Sequence, residues 1–137
     1  MKVIMFACAQ SISIDSQTNN ISLFNIIEEI NVSSFPIVIN NFVVFSFIIR
    51  EESEPNSISC RLKLILGNEL ISEIPFELNF QSQNKVRSVV NIMGFIIPTP
   101  GLLKVSLNSG EDDLSSWFID VKSVGQPHVQ QNTVVTP

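Results

Sequence analysis

The sequence predicts a single all-β domain, an antiparallel two-sheet β-sandwich of the immunoglobulin or C2 type with about seven or eight strands. Several segments alternate apolar and polar residues with a period of two, as strands with one buried face do. Such segments recur about every ten residues, with turn residues between them. Strands that follow one another without helices between them favour antiparallel sheets over parallel βαβ units. A closed barrel is the alternative to the sandwich.

Length and composition fit one folded domain. The chain has 137 residues, of which 45% are hydrophobic and 15% charged, against roughly 25% charged in a typical soluble domain. We expect the β-sandwich to span residues 1–123. Residues 124–137 are expected to form a flexible tail, because they contain two prolines, three glutamines and few apolar residues.

The first two predicted strands are Val3–Ile14 and Ile21–Ile30. The polar tract Asp15–Asn20 between them predicts a hairpin. Helical spacing inside the second segment leaves a helix as an alternative, with Asn20 as its cap. The residues at that spacing are Leu23, Ile26, Ile27 and Ile30. The β-branched content favours a strand.

The segment Asn41–Ile49 is apolar on both faces. One face carries Phe42, Val44 and Ile48. The other face carries Val43, Phe45, Phe47 and Ile49. One face of a sandwich strand should meet water, so a loop, the tail or another protein chain is expected to cover the second face. We expect these seven residues to form an interface; the alternative is a strand covered within its own domain.

Two alternating segments, Ile58–Leu66 and Ile74–Phe80, follow the acidic loop after this strand. The pair Gly67-Asn68 between them predicts a hairpin turn. Pro75 has no amide hydrogen for a neighbouring strand, which places its strand at a sheet edge.

The last third of the chain predicts three more strands. Val86–Met93 is the first, and the break Pro98–Gly101 separates it from the alternation Leu103–Leu107. A turn at Asn108–Gly110 then leads into Leu114–Val121.

The sequence predicts no catalytic site, no metal and no cofactor. His128 is the only histidine and stands in the expected tail, where it cannot act as an ordered base or complete a zinc site. The five glycines stand alone, so there is no phosphate-binding loop. Trp117, the only tryptophan, is expected in the core, and the lack of tyrosine argues against a sugar platform.

Acidic clusters occur in two predicted loops. One contains Glu51, Glu52 and Glu54, and the other contains Glu111, Asp112 and Asp113. Calcium needs several carboxylates that converge from loops, and two clusters in separate loops do not establish convergence. We expect both clusters to act as solvated loop charge.

Charge and hydropathy exclude two classes of partner. The net charge is −5 and the basic residues are scattered, which argues against nucleic-acid binding. No apolar run reaches the roughly 18 residues of a membrane span, and Val3–Ala7 is too short for a signal peptide core. Cys8 and Cys60 are expected to be reduced and buried, with an inter-sheet disulfide as the alternative. A cytoplasmic protein is therefore expected.

Four short stretches resemble a family of small bacterial proteins of unknown function, DUF6941. They are Ala7–Gln10, Asn20–Asn25, Phe35-Pro36, and Pro98–Gly101 with the following Leu103–Leu107. The resemblance covers about residues 3–122. Departures from the family pattern are Leu103 in place of an aromatic residue and Asn25 in place of a glycine. The resemblance implies a sandwich with a strand, not a helix, after Asn20; it implies no activity.

These observations predict a non-enzymatic interaction or assembly module, an accessory subunit that works with a protein partner or forms a homo-oligomer. Either an apolar sheet face or a free strand edge could carry the contact. The alternative is a ligand-binding sandwich that recognises a carbohydrate or a calcium-dependent surface.

Overall fold

The computed structural model describes residues 1–125, and strands account for 70% of them. None of the described residues is helical, which confirms the all-β class. The strands are β1 (Lys2–Ile14), β2 (Ile21–Ile26), β3 (Glu29–Val32), β4 (Ile37–Ile39), β5 (Phe42–Ile49), β6 (Ser57–Leu66), β7 (Glu69–Asn79), β8 (Lys85–Ile92), β9 (Phe95–Ile97), β10 (Gly101–Ser109) and β11 (Asp112–Ser123).

The strands form three sheets that include a curled half-barrel. A four-stranded sheet has the order β2-β1-β5-β8, a five-stranded sheet has the order β3-β11-β10-β6-β7, and β4 pairs with β9. Neighbouring strands are antiparallel except β3 and β11, which are parallel. The expected number of seven or eight strands was too low, because β3, β4 and β9 have only three or four residues each.

One hydrophobic core joins the two large sheets. Its fully buried side chains include Phe42 and Ile48 from the four-stranded sheet, and Leu64 and Val105 from the five-stranded sheet. Phe42 also packs edge-on against Phe95 of β9, with ring centroids 5.1 Å apart. Burying an aliphatic side chain of this size contributes about 1.5–3 kcal/mol, so this shared core is the main stabilising element.

The β6–β7 hairpin confirms the turn at Gly67-Asn68. Gly67 has a φ of 61°, and a glycine at the first central position suits the type II′ turn of a two-residue hairpin. Pro75 lies on β7, the edge strand of its sheet, as its missing amide hydrogen predicts.

The segment 21–32 contains two strands where the sequence predicted one, and the helical alternative is wrong. β2 belongs to the four-stranded sheet and β3 to the five-stranded sheet, so Ile27 and Glu28 cross between them. The Trp117 indole donates a hydrogen bond of 2.7 Å to the Ile27 carbonyl and ties this crossing to β11. Trp117 packs against the core, as expected.

The predicted tail, residues 124–137, lies outside the described residues except for Val124 and Gly125. The Val124 amide donates to the Val32 carbonyl and extends the contact between β11 and β3. Among the described residues no helix has the length and apolar character that a bilayer crossing requires.

Candidate functional site

The predicted interface residues all lie on β5, between β1 and β8. Phe42, Val44 and Ile48 face the main core and are at most 1% exposed. On the other face Val43 and Phe45 are 4% and 3% exposed, although neither belongs to that core. Phe47 and Ile49 are half-buried. The chain itself therefore covers both faces of most of the strand.

The cover of the second face is the hairpin formed by β2 and the second half of β1. Residues 2–9 of β1 pair with β5, whereas residues 9–14 pair with β2. The base of the hairpin at Gln10–Ile12 borders residues 91–93, at the end of β8. Its tip at Thr18–Asn20 borders residues 85–87, at the opposite end of the same strand. The hairpin therefore runs back along the outer side of β5 and β8.

Side-chain burial agrees with this position of the hairpin. Ile12 and Leu23, which pair with each other, are half-buried without belonging to the main core. At the tip, the Arg87 guanidinium donates a hydrogen bond of 2.8 Å to the Asn19 carbonyl. The hairpin and β5 thus form a second, smaller apolar layer.

Asp15 holds the tip of this hairpin together. Its carboxylate accepts backbone hydrogen bonds from Thr18 at 3.0 Å and Gln17 at 2.8 Å. These bonds favour the charged form and hold the pKa of Asp15 below its usual value, with the Thr18 amide as the largest cause.

The turn is therefore expected to weaken on acidification. Because the folded-state pKa of Asp15 is depressed, the stabilisation is complete above the unfolded-state pKa of about 3.9 and is lost as the pH falls through the folded-state pKa. A carboxyl NMR titration with amide exchange at Thr18 measures both effects. The Asp15→Asn variant keeps an acceptor oxygen and should lose the acid dependence. An Asp15 that titrates at or above about 3.9 would contradict the prediction.

A different surface is apolar and open to solvent: the outer face of the five-stranded sheet near Gly101. The apolar row, as we call it, consists of Leu70, Ile65, Leu102 and Phe118. Strand register sets Phe118 beside Lys104, Lys104 beside Ile65, and Ile65 beside Leu70. Leu70, Leu102 and Phe118 are 52%, 48% and 53% exposed. The row therefore crosses four strands without a covering layer from residues 1–125.

The rest of this outer face is polar. Lys63 lies beside Glu73, and the Arg61 guanidinium lies 3.3 Å from Glu73 Oε2. The buried hydroxyl of Ser106 is 3.0 Å from Asn108 Oδ1 and 3.1 Å from Asp113 Oδ1. Since this pattern is usual for the solvent side of an antiparallel sheet, the apolar row stands out as a separate patch.

Sequence reasoning missed the apolar row. The sequence nevertheless contains a sign of this row. Three apolar residues follow one another at Leu64–Leu66 and at Trp117–Ile119, and the middle residue of each run must point away from the core. The register that sets Ile65 and Phe118 on either side of Lys104 is visible only in the structure.

A cleft of about 660 Å³ lies at the other end of the same sheet, between the middle of β7 and the turn after β10. Arg61, Glu77 and Glu111 bring charge to it, and Pro75 and Phe76 give it an apolar wall. Glu77 accepts hydrogen bonds from the hydroxyls of Ser57 and Ser59. This combination of one cation, two carboxylates and an apolar wall could bind a small polar ligand.

The cluster Glu51, Glu52 and Glu54 lies in the loop after β5, as predicted. Of the second cluster only Glu111 lies in the turn, whereas Asp112 and Asp113 begin β11, because they pair with the end of β10. Glu54 accepts a backbone hydrogen bond from Glu51, which is the largest cause of its lowered pKa. Asp113 lies 3.2 Å from the Lys104 ammonium. Within residues 1–125 no three side chains of His, Cys, Asp or Glu are grouped so that they could hold a metal ion.

Cys8 and Cys60 are unpaired buried thiols, and the disulfide alternative is wrong. Burial raises the pKa of the Cys60 thiol to about 11 and that of Cys8 further still. Thiols of this kind are chemically inert, because the reactive species is the thiolate. His128 lies outside the described residues.

A family model described as a family of unknown function, DUF6941, matches residues 4–122. These residues include β2 to β10 and nearly all of β1 and β11, and therefore both the hairpin and the apolar row. Comparison with curated proteins gave no match.

Proposed function

Because the chain belongs to the DUF6941 family, whose function is unknown, we propose its role from its geometry: a non-enzymatic interaction module that binds a partner protein through the apolar row. The observation that carries this proposal is the exposure of Leu70, Leu102 and Phe118 on one sheet face. We further propose that the module is an accessory subunit and that the partner protein buries the apolar row.

The composition of the apolar row supports a protein partner. Interfaces are rich in aromatic side chains at their centre and polar at their rim. Phe118 is the aromatic residue of the row and lies at its β11 end, with Lys104 beside it and Asp120 next to Leu102. With a net charge of −5 the chain as a whole does not favour nucleic acid.

The architecture proposed for this role is a two-layer sandwich. The four-stranded and five-stranded sheets share one core, which supports face-to-face packing. In such a sandwich the outer face of the five-stranded sheet is available to a partner. We place this role in the cytoplasm, which the two buried thiols support.

The Phe118→Lys variant is expected to abolish partner binding. A tagged full-length chain is purified from cells, and the co-purifying protein is then produced separately for titration calorimetry. A charge in place of the only aromatic side chain of the apolar row should raise the dissociation constant by at least about tenfold. Phe24→Lys is the matched control, since Phe24 is 50% exposed on the other large sheet.

Three outcomes separate the possibilities. Loss of binding in Phe118→Lys with binding kept in Phe24→Lys supports the proposal. Equal binding by both variants would contradict it, and so would loss in both. Circular dichroism on each variant verifies that the fold is retained.

The alternative function is ligand binding at the cleft that contains Arg61, Glu77 and Glu111. The observation that favours it is the mixture of charged groups and the apolar wall at Phe76. A shift in melting temperature with a panel of oligosaccharides that Arg61→Ala removes, or with calcium that Glu77→Gln removes, would favour this function over protein binding if Phe118→Lys left the shift unchanged.

A further inference from the structure

We propose that two copies of this chain pair along the free edge of β2, antiparallel to each other, so that two four-stranded sheets join into one continuous sheet. The inference does not rest on the proposed partner-binding role, because β2 and the apolar row belong to different sheets.

The first observation is the open edge of β2. β2 is an end strand of its sheet and pairs only with β1. Within residues 1–125, no backbone hydrogen bond links Ile21–Ile26 to any segment other than β1. An open strand edge presents a row of amide and carbonyl groups that a further strand can satisfy.

The second observation is the absence of charge and proline on this edge, whose extended backbone is interrupted at Asn25, with a φ of 55°, and regular from Ile21 to Phe24. Natural proteins block open edges with charged side chains, proline or very short strands. The edge strand β7 carries three glutamates and Pro75, and the edge strand β8 carries Lys85 and Arg87. The β3, β4 and β9 strands have three or four residues each. β2 has the sequence Ile-Ser-Leu-Phe-Asn-Ile, with neither charge nor proline.

The third observation concerns charge over the whole hairpin. Between Lys2 and Glu28 the only charged residue is Asp15, at the hairpin tip. Across a two-fold axis residue i of one copy meets residue j of the other and j meets i, so a strand that carried charges of one sign would meet like charges. The uncharged β2 is compatible with itself, whereas the acidic β7 and the basic β8 are not.

The fourth observation is the apolar surface beside the edge. Phe24 and Ile26 are 50% and 46% exposed on the solvent side of the hairpin, while Ile21 and Leu23 are half-buried on the other side. Strand pairing would bring these side chains next to those of the second copy, where aromatic and β-branched pairs stabilise a sheet. A second copy can therefore pair with the free backbone groups of the edge, brings no like charge to it, and buries its exposed apolar side chains.

Sedimentation velocity on the full chain from about 1 to 200 μM tests the proposal. The wild type is expected to show a reversible monomer–dimer equilibrium. Phe24→Lys and Ser22→Lys should each raise the dimer dissociation constant by at least about tenfold, since each adds a charge of the same sign to both copies of the paired strand. Both side chains are exposed, so neither change removes core packing. Phe118→Lys and Ser57→Lys on the other sheet are the matched controls and should leave the constant unchanged.

Hydrogen exchange identifies the edge directly. Amides of Ile21–Ile26 should exchange more slowly at the highest protein concentration than at the lowest, and this difference should vanish in Phe24→Lys. A wild-type chain that remains monomeric at about 200 μM would overturn the inference. A dimer that resists both lysines on β2, that Phe118→Lys dissociates, or that leaves β2 exchange unchanged would overturn it as well.

Discussion

Replacing Phe45 by alanine is expected to lower the free energy of unfolding by about 3–5 kcal/mol. Phe45 is 3% exposed and lies on the outer face of β5, between Ala7 of β1 and Val89 of β8. Because the hairpin closes over it, truncation leaves a cavity as well as losing buried surface. Urea unfolding followed by the fluorescence of Trp117 measures the loss.

Phe118→Ala is the matched control for this prediction. Phe118 is also a strand residue but is 53% exposed, so its truncation should cost less than about 1 kcal/mol. If Phe45→Ala cost no more than Phe118→Ala, the second apolar layer would not be packed. A large loss in Phe45→Ala alone would establish that this layer stabilises the domain.

Arg50→Ala is expected to cost about 2–4 kcal/mol. The Arg50 guanidinium donates to the carbonyl of Gln83 at 2.9 Å and to that of Glu54 at 2.7 Å. It also lies over the Phe80 ring, 5.4 Å from the ring centroid. One side chain thus links the loop after β5 to the loop between β7 and β8, and charge-assisted hydrogen bonds of this kind are among the stronger ones.

Two further arginine variants are the references for the loss of stability in Arg50→Ala. Arg50→Lys keeps the charge but cannot make both hydrogen bonds, so it should recover only about half of the stability. Arg61→Ala removes an arginine whose side chain is 60% exposed and whose ion pair with Glu73 is solvated, and should cost less than about 1 kcal/mol. Equal losses in Arg50→Ala and Arg61→Ala, measured by urea unfolding, would contradict the linking role of Arg50.

The sequence predicted that β5 needs cover on both faces, because its apolar residues do not alternate with polar ones. It could not identify the cover. The hairpin that supplies it is encoded by the weak alternation of Ile12 and Ile14 with serines, which also fits an ordinary edge hairpin. The return of the hairpin over β5 depends on the course of β1 beyond Ala9, which no local pattern specifies.

Local sequence patterns also could not predict the apolar row or the short strands. Ile65 and Phe118 can each be recognised as outward-facing, but they are 53 positions apart in the chain, and only strand register sets them on either side of Lys104. β3, β4 and β9 are too short for a period of two to be visible. The long hairpin strands β6 and β7, in contrast, were predicted together with their turn and their edge position.

The parallel pairing of β3 with β11 has a consequence for synthesis of the protein. The Trp117 indole meets the Ile27 carbonyl across 90 residues, and β3 has no strand partner until β11 exists. A growing chain therefore holds β3 without its five-stranded sheet until β11 has been synthesised. Pairings between such distant segments form slowly, because the intervening loop must close first. Folding of this domain is thus expected to finish only after β11 has left the ribosome, and the open β2 edge can meet other chains throughout that interval.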